Sequence, residues 1–130
     1  MIDSRPNPRP DPLRGEIWEF DLNPKRGHEQ RGVRPCLVVS SDPLNRSTFG
    51  TVIICPITTR DRPAFRWRPG LIPKDLRVVA KDWKQRPHWV ATDQIVSVDT
   101  RQRAIRHLAT VIDEEKMLDV DDSLRLLLEL

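Results

Sequence analysis

Short apolar and aromatic runs, separated by Pro, Gly, Asn and Asp, fill the chain as far as residue 112, and only the last segment changes period. Arg14–Leu22 mixes Ile17, Trp18 and Phe20 with Glu16 and Glu19, a strand composition, and Asn23-Pro24 ends it. The loop Lys25–Val33 leads into Cys36–Ser41, a continuously apolar strand of the kind buried on both faces. Asp42–Arg46 has the chemistry of a turn or a single helical turn. Thr51–Thr58 is strand-like, and Pro56 within it predicts an edge or a bulge, because proline gives a ladder no N–H. Leu76–Ala80, Trp89–Thr92 and His107–Ile112 are further strands; Ile95–Val98 continues the second, and Asp99–Arg103 is a brief helical turn. Met117, Val120, Leu124, Leu127 and Leu128 then recur at three- and four-residue steps, behind Asp113 as N-cap and Glu114 and Glu115 at the positive end of the dipole. The period predicts an amphipathic helix over 113–128. Many short strands followed by one helix predict a mainly β protein, a small, strongly bent antiparallel barrel with a C-terminal helix packed on it.

The 130 residues suit one domain, placed at 13–130 behind a Pro-rich, polar leader at 1–12. No apolar run approaches the roughly 20 residues of a membrane span, so a soluble, cytoplasmic protein is expected. Cys36 and Cys55 lie in apolar strand-like runs and read as reduced, structural thiols, with a disulfide open only if the two strands pair in register. His28, His88 and His107 are scattered, and no His or Cys pair has zinc-ligand spacing, so no metal and no cofactor are expected. Charge is segregated. Residues 60–86 carry nine basic residues against three acids, a balance of +6, whereas 113–130 carry two against seven, a balance of −5. Such asymmetry suggests one face for a polyanion, although a basic run can equally be a solvated loop. Thr59–Pro73, where Phe65 and Trp67 interleave with arginines, is expected to be a flexible basic arm, with Trp67 available to stack on a base.

The chemistry concentrates at Arg26–Pro35. Gly27 and Gly32 permit turns or close backbone approach, His28, Glu29, Gln30 and Arg31 lie between them, and Pro35 biases Arg34 to an extended conformation at the start of a strand. Glu29, Arg34 and Thr58 supply a carboxylate, a guanidinium and a hydroxyl that could converge at one rim of a barrel. Cleaving RNA without metal requires a base for the 2′-hydroxyl, charge neutralisation at the phosphate and a proton for the leaving 5′-oxygen. Glu29 is the natural base if its pKa is raised, Arg34 a bidentate phosphate ligand, Thr58 a donor to a non-bridging oxygen, and His28 an acid or base if it points inward. The plainer alternatives are a surface Glu–Arg pair, a strand threonine and an exposed loop histidine.

Arg14-Gly-Glu-Ile-Trp, Asp21-Leu-Asn-Pro, Arg26-Gly-His-Glu-Gln, Gly32-Val-Arg-Pro, a Leu-Val-Val strand, Asn45-Arg46, Pro56-Ile-Thr-Thr and Trp89-Val-Ala-Thr-Asp-Gln-Ile resemble, in that order, the MazF/PemK family of toxin endoribonucleases. The resemblance implies a homodimeric SH3-like barrel that cuts single-stranded mRNA to a 2′,3′-cyclic phosphate and a 5′-hydroxyl without metal, and is neutralised by a cognate antitoxin. It implies the same site positions, Glu29, Arg34 and Thr58, with Arg34 sharing proton transfer. Lys25, Arg26, Gln30, Arg31, Thr59, Arg60, Arg66, Trp67 and Gln94 are the expected RNA-binding residues. His28 departs from the pattern, where members often carry a small residue such as serine. The alternative is a non-catalytic toxin on the same fold that binds a topoisomerase or RNA.

Overall fold

The computed structural model describes residues 11–23, 27 and 32–130. Eight strands, β1 (Glu16–Asp21), β2 (Val33–Val38), β3 (Thr51–Thr58), β4 (Gly70–Leu71), β5 (Leu76–Val78), β6 (His88–Val90), β7 (Val96–Asp99) and β8 (Ala104–Val111), form one antiparallel sheet. Its order is β4-β6-β3-β2-β1-β8-β5, with β7 also on β3. The two ends of that order, β4 and β5, are joined by a 3-10 turn at Pro73–Asp75, which brings the sheet round into a nearly closed barrel. Buried Asp75 fixes this turn, accepting the Ile72 N–H at 2.9 Å while its carbonyl accepts that of Ile112 at 2.9 Å. Two short helices, α1 (Asp42–Asn45) and α2 (Thr100–Arg103), are single turns, and α3 (Glu114–Leu128) is the expected amphipathic helix. Asp113 caps α3 by accepting the Glu115 N–H at 3.0 Å. No helix among the described residues is long and apolar enough to cross a membrane.

Alternation along the strands sends side chains into two cores. Ile17, Leu37, Cys55 and Ile57 pack with Val90, Leu108 and the fully buried Val120 of α3, and Trp18, Phe20, Cys36, Val38, Val52 and Ile54 fill the opposite face with Val98. This is why Cys36–Val39 is continuously apolar. The two cysteines sit on neighbouring strands, but Cys36 pairs with Pro56 and Cys55 with Leu37, so a one-residue offset turns them to opposite faces. Both are free and buried; burial pushes the Cys55 thiol up to about 12 and the Cys36 thiol well above its ordinary value.

Several expectations are corrected. β3 is neither an edge nor interrupted at Pro56. It runs unbroken between β2 on one side and, on the other, β7 (Thr51–Ile54) followed by β6 (Ile57 and Thr58). Pro56 occupies the gap where β3 changes partner, so its missing N–H costs no ladder bond there, and its carbonyl still accepts the Ala91 N–H at 2.8 Å. Residues 95–98 do not continue the Trp89 strand, because a 3-10 turn at Thr92–Gln94 separates β6 from β7. β2 begins at Val33, so Arg34 lies inside the strand, paired with Phe20. β8 begins at Ala104, three residues before the expected start.

The basic segment is also no loose arm. Phe65 and Trp67 stack with centroids 5.0 Å apart, the Trp67 indole N–H donates to Asp93 at 3.0 Å, and Arg68 binds the same carboxylate through Nε and Nη2 at 2.7 and 2.8 Å. Ser123 of α3 donates to the Trp67 carbonyl and bonds Thr92 at 2.7 Å. Burial opposes ionisation of Asp93, but the hydrogen bonds from Arg68 and Trp67 outweigh it and hold the carboxyl well below its usual range.

Candidate active site

At one end of the barrel a cavity of about 330 Å³ opens between β1, β2, β3, β6 and β8. Its apolar lining is Pro35, Ile57 and Leu108, which face inward because Glu19 pairs with Pro35 and Leu37 with Cys55 along a common face. Arg34 and Thr58 border it, and continuing the Cys36–Pro56 register by two residues sets them opposite one another on adjacent strands, on the face they share with Phe20 and Cys36 rather than the one carrying Pro35 and Ile57. The structure therefore brings together two members of the expected set. Thr58 Oγ1 accepts the Arg60 N–H at 3.1 Å, and Thr59 Oγ1, also at the cavity, accepts from Arg86 Nη2 at 3.5 Å. The sites expected at Lys25, Arg26, His28, Glu29, Gln30 and Arg31 lie outside the described residues. Gly27 and Gly32 take left-handed φ of +63° and +84°, as expected of turn glycines, and Gly32 closes the base of that connection by donating to Asn23 Oδ1 at 3.0 Å. Arg60, Arg66, Trp67 and Gln94 are not part of the cavity wall; Trp67 is engaged by Phe65 and Asp93, and Gln94 sits beside Asp93 at 3.4 Å.

The rest of the wall was not anticipated. Arg106 bridges two carboxylates, Asp82 at 2.7 and 2.8 Å and Glu19 at 3.4 Å. The Arg106 hydrogen bonds hold the Asp82 carboxyl below its ordinary value, and Asp82 and Glu19 hold the Arg106 proton more firmly still. Lys84 and Arg86 add positive charge to the same wall. His88, buried at 4% exposure, donates from Nδ1 to the Arg86 carbonyl at 2.8 Å and stacks on Trp83 at 4.6 Å between centroids. Burial is the main cause that lowers its pKa. Among the described residues the Trp83 indole N–H finds no acceptor, and a buried donor left so costs about 1–3 kcal/mol. The signal for these residues was the Lys84-Gln-Arg-Pro-His88 cluster next to Trp89, of which Lys84 and Arg86 counted only toward the basic run 60–86.

A nearly closed antiparallel β-barrel with one C-terminal helix and a predominantly cationic cavity at its open end defines the class. Residues 13–128 match the model of the PemK-like, MazF-like toxin of type II toxin-antitoxin systems, and the chain belongs to this family. It is similar to MazF from Deinococcus radiodurans, with 28% identity over 94% of this chain and 100% of that one and a TM-score of 0.73. It is likewise similar to a chain of the MazE-MazF complex from the same organism, at 28% identity, 94% and 99% coverage and a TM-score of 0.67. A mycobacterial endoribonuclease in complex with its cognate antitoxin shares the fold at 24% identity, with 92% and 96% coverage and a TM-score of 0.62.

Proposed function

We propose that this chain is a metal-independent, sequence-selective endoribonuclease toxin that cuts single-stranded mRNA to a 2′,3′-cyclic phosphate and a 5′-hydroxyl, acts as a homodimer and is neutralised by a cognate antitoxin. The observation that carries the reading is the meeting of Arg34 and Thr58 in one open cavity flanked by Lys84 and Arg86. Arg34 places a fixed positive charge and two N–H groups where a phosphate would gain charge, and such preorganised donors supply much of the stabilisation of a five-coordinate transition state. Thr58 offers a hydroxyl to a non-bridging oxygen. Glu29, five residues before Arg34, and its neighbour His28 are candidates for one of the two proton transfers. Thr59, Arg60 and Arg66 on the chain beyond β3, with Lys25, Arg26, Gln30 and Arg31 before β2, extend the contact to neighbouring nucleotides, while Trp67 and Gln94 bound the surface near Asp93.

Incubation of the purified protein with a long RNA in EDTA, followed by primer extension and end-group analysis, tests this reading. Cutting at a short recurrent sequence with cyclic-phosphate ends is expected, and Arg34→Ala should reduce the rate by about 10²–10³-fold, the loss typical of removing one transition-state donor. Intact RNA at high protein concentration rejects the reading; toxicity in cells that survives Arg34→Ala favours a non-catalytic toxin.

A further inference from the structure

We propose that Trp89 is the stacking platform of this site, the side chain on which one nucleobase beside the scissile phosphate lies. The inference rests on the endoribonuclease reading above and deepens it. Trp89 is the central residue of β6, which runs between β3 on one side and β4 on the other. Direct partners across a ladder present their side chains on one face, with Cβ atoms about 5 Å apart. Thr58 pairs with Trp89, and Trp89 with Gly70. The face that carries Arg34 and Thr58 therefore continues through Trp89 to Gly70, a row across β2, β3, β6 and β4. At Gly70 no side chain competes for the space, and the half-buried indole rests there; a methyl group on that glycine would touch it, 3.6 Å from Nε1.

The other tryptophans are committed elsewhere. Trp18 is buried in one core and stacks on His107, and Trp83 packs against the other core and stacks on His88. Trp67, expected from the sequence to take a base, has its ring on Phe65 and its N–H on Asp93. Trp89 belongs to neither core, and among the described residues no ring lies on its face. A large ring outside the cores and one strand from Thr58 suits single-stranded RNA, which is held by its phosphates on cations and hydroxyls and by its unstacked bases on aromatics. With paired strands on both sides, this ring is placed more firmly than one on a loop. Every base has a π-face, so the contact adds affinity at one position without choosing the base there. It is made in the ground state and the transition state alike, and so it acts on KM rather than on kcat.

The test measures kcat and KM on a short RNA containing the mapped cut site, and on the same RNA with abasic ribonucleotides placed one at a time around the cut. Trp89→Leu, which keeps an apolar side chain but no π-face, should raise KM by about 5- to 150-fold with a much smaller change in kcat, and Trp89→Phe should restore most of the loss. In the wild type an abasic residue at one flanking position should cost a similar factor, and at that position Trp89→Leu should lose nothing further. A Trp89→Leu KM within about twofold of wild type, or abasic and Trp89→Leu losses that simply add at every position, overturns the proposal and leaves the endoribonuclease reading standing. A Trp89→Leu protein that changes oligomeric state in gel filtration places the ring at a subunit contact and also overturns it. A wild type that cuts no RNA overturns both. If Trp89→Leu fails to fold, the difference in tryptophan fluorescence between wild type and Trp89→Phe decides: quenching of that difference by a 2′-O-methyl oligonucleotide of the cut site supports stacking, and an unchanged difference rejects it.

Discussion

Asp93 shows how a residue away from the cavity fixes the chain that leads to it. One carboxylate accepts from Trp67 and twice from Arg68, and these three bonds tie the basic segment to the turn between β6 and β7. Its pKa is lowered in the folded protein, so its contribution to stability is complete above the unfolded value near 3.8 and is lost as pH falls through the folded one. Urea denaturation at pH 7 and at pH 3 should show wild-type stability falling with acid. Asp93→Asn should be weaker by about 1–2 kcal/mol at pH 7, the low end for charged hydrogen bonds because the pair keeps contact with water, and should narrow the difference between the two pH values. At this scale the sequence was legible where chemistry is local. Arg34 was placed by the proline that follows it, and Thr58 by the end of an apolar run. His88 was not legible as part of the cavity wall, because what places it there, the pairing of β6 with β3 and β4, arises only when strands distant in sequence meet.

Elements were easier to read than their pairings. The period of α3 shows in its sequence because the helix meets the barrel with one face, Val120 with Met117 and Leu124, although Leu127 and Leu128 of the same stripe stay exposed like Leu118 and Leu126. Val120→Ala should cost about 2–3 kcal/mol by loss of buried methyl groups and the space left behind. Leu126→Ala should stay within about 0.5 kcal/mol of wild type; thermal or urea unfolding of the two variants side by side checks both. Pro56 misleads for a physical reason. A proline in a strand signals a missing donor, and an edge, a bulge and a change of partner all meet that condition. Only the register of β7 and β6 along β3 distinguishes the third from the first two.

For the whole molecule, a bent barrel with a terminal helix could be anticipated from the count and spacing of apolar runs, but strand order could not, since β3 takes β7 and β6 as partners from residues 31 to 48 positions further on. The two cysteines report on this architecture, one in each core. Both thiols should resist Ellman's reagent in the native protein and react together as denaturant unfolds it, because raised pKa and burial suppress the thiolate until the sheet opens. A thiol that titrates rapidly in buffer alone contradicts this packing. The cavity has a consequence for synthesis. Its wall reaches from Glu19 on β1 to Leu108 on β8, and contacts of such sequence separation form late. A nascent chain still short of β8 holds Arg34 and Thr58 without the full cavity wall, so a ribosome translating this message must pass Leu108 before the cavity exists.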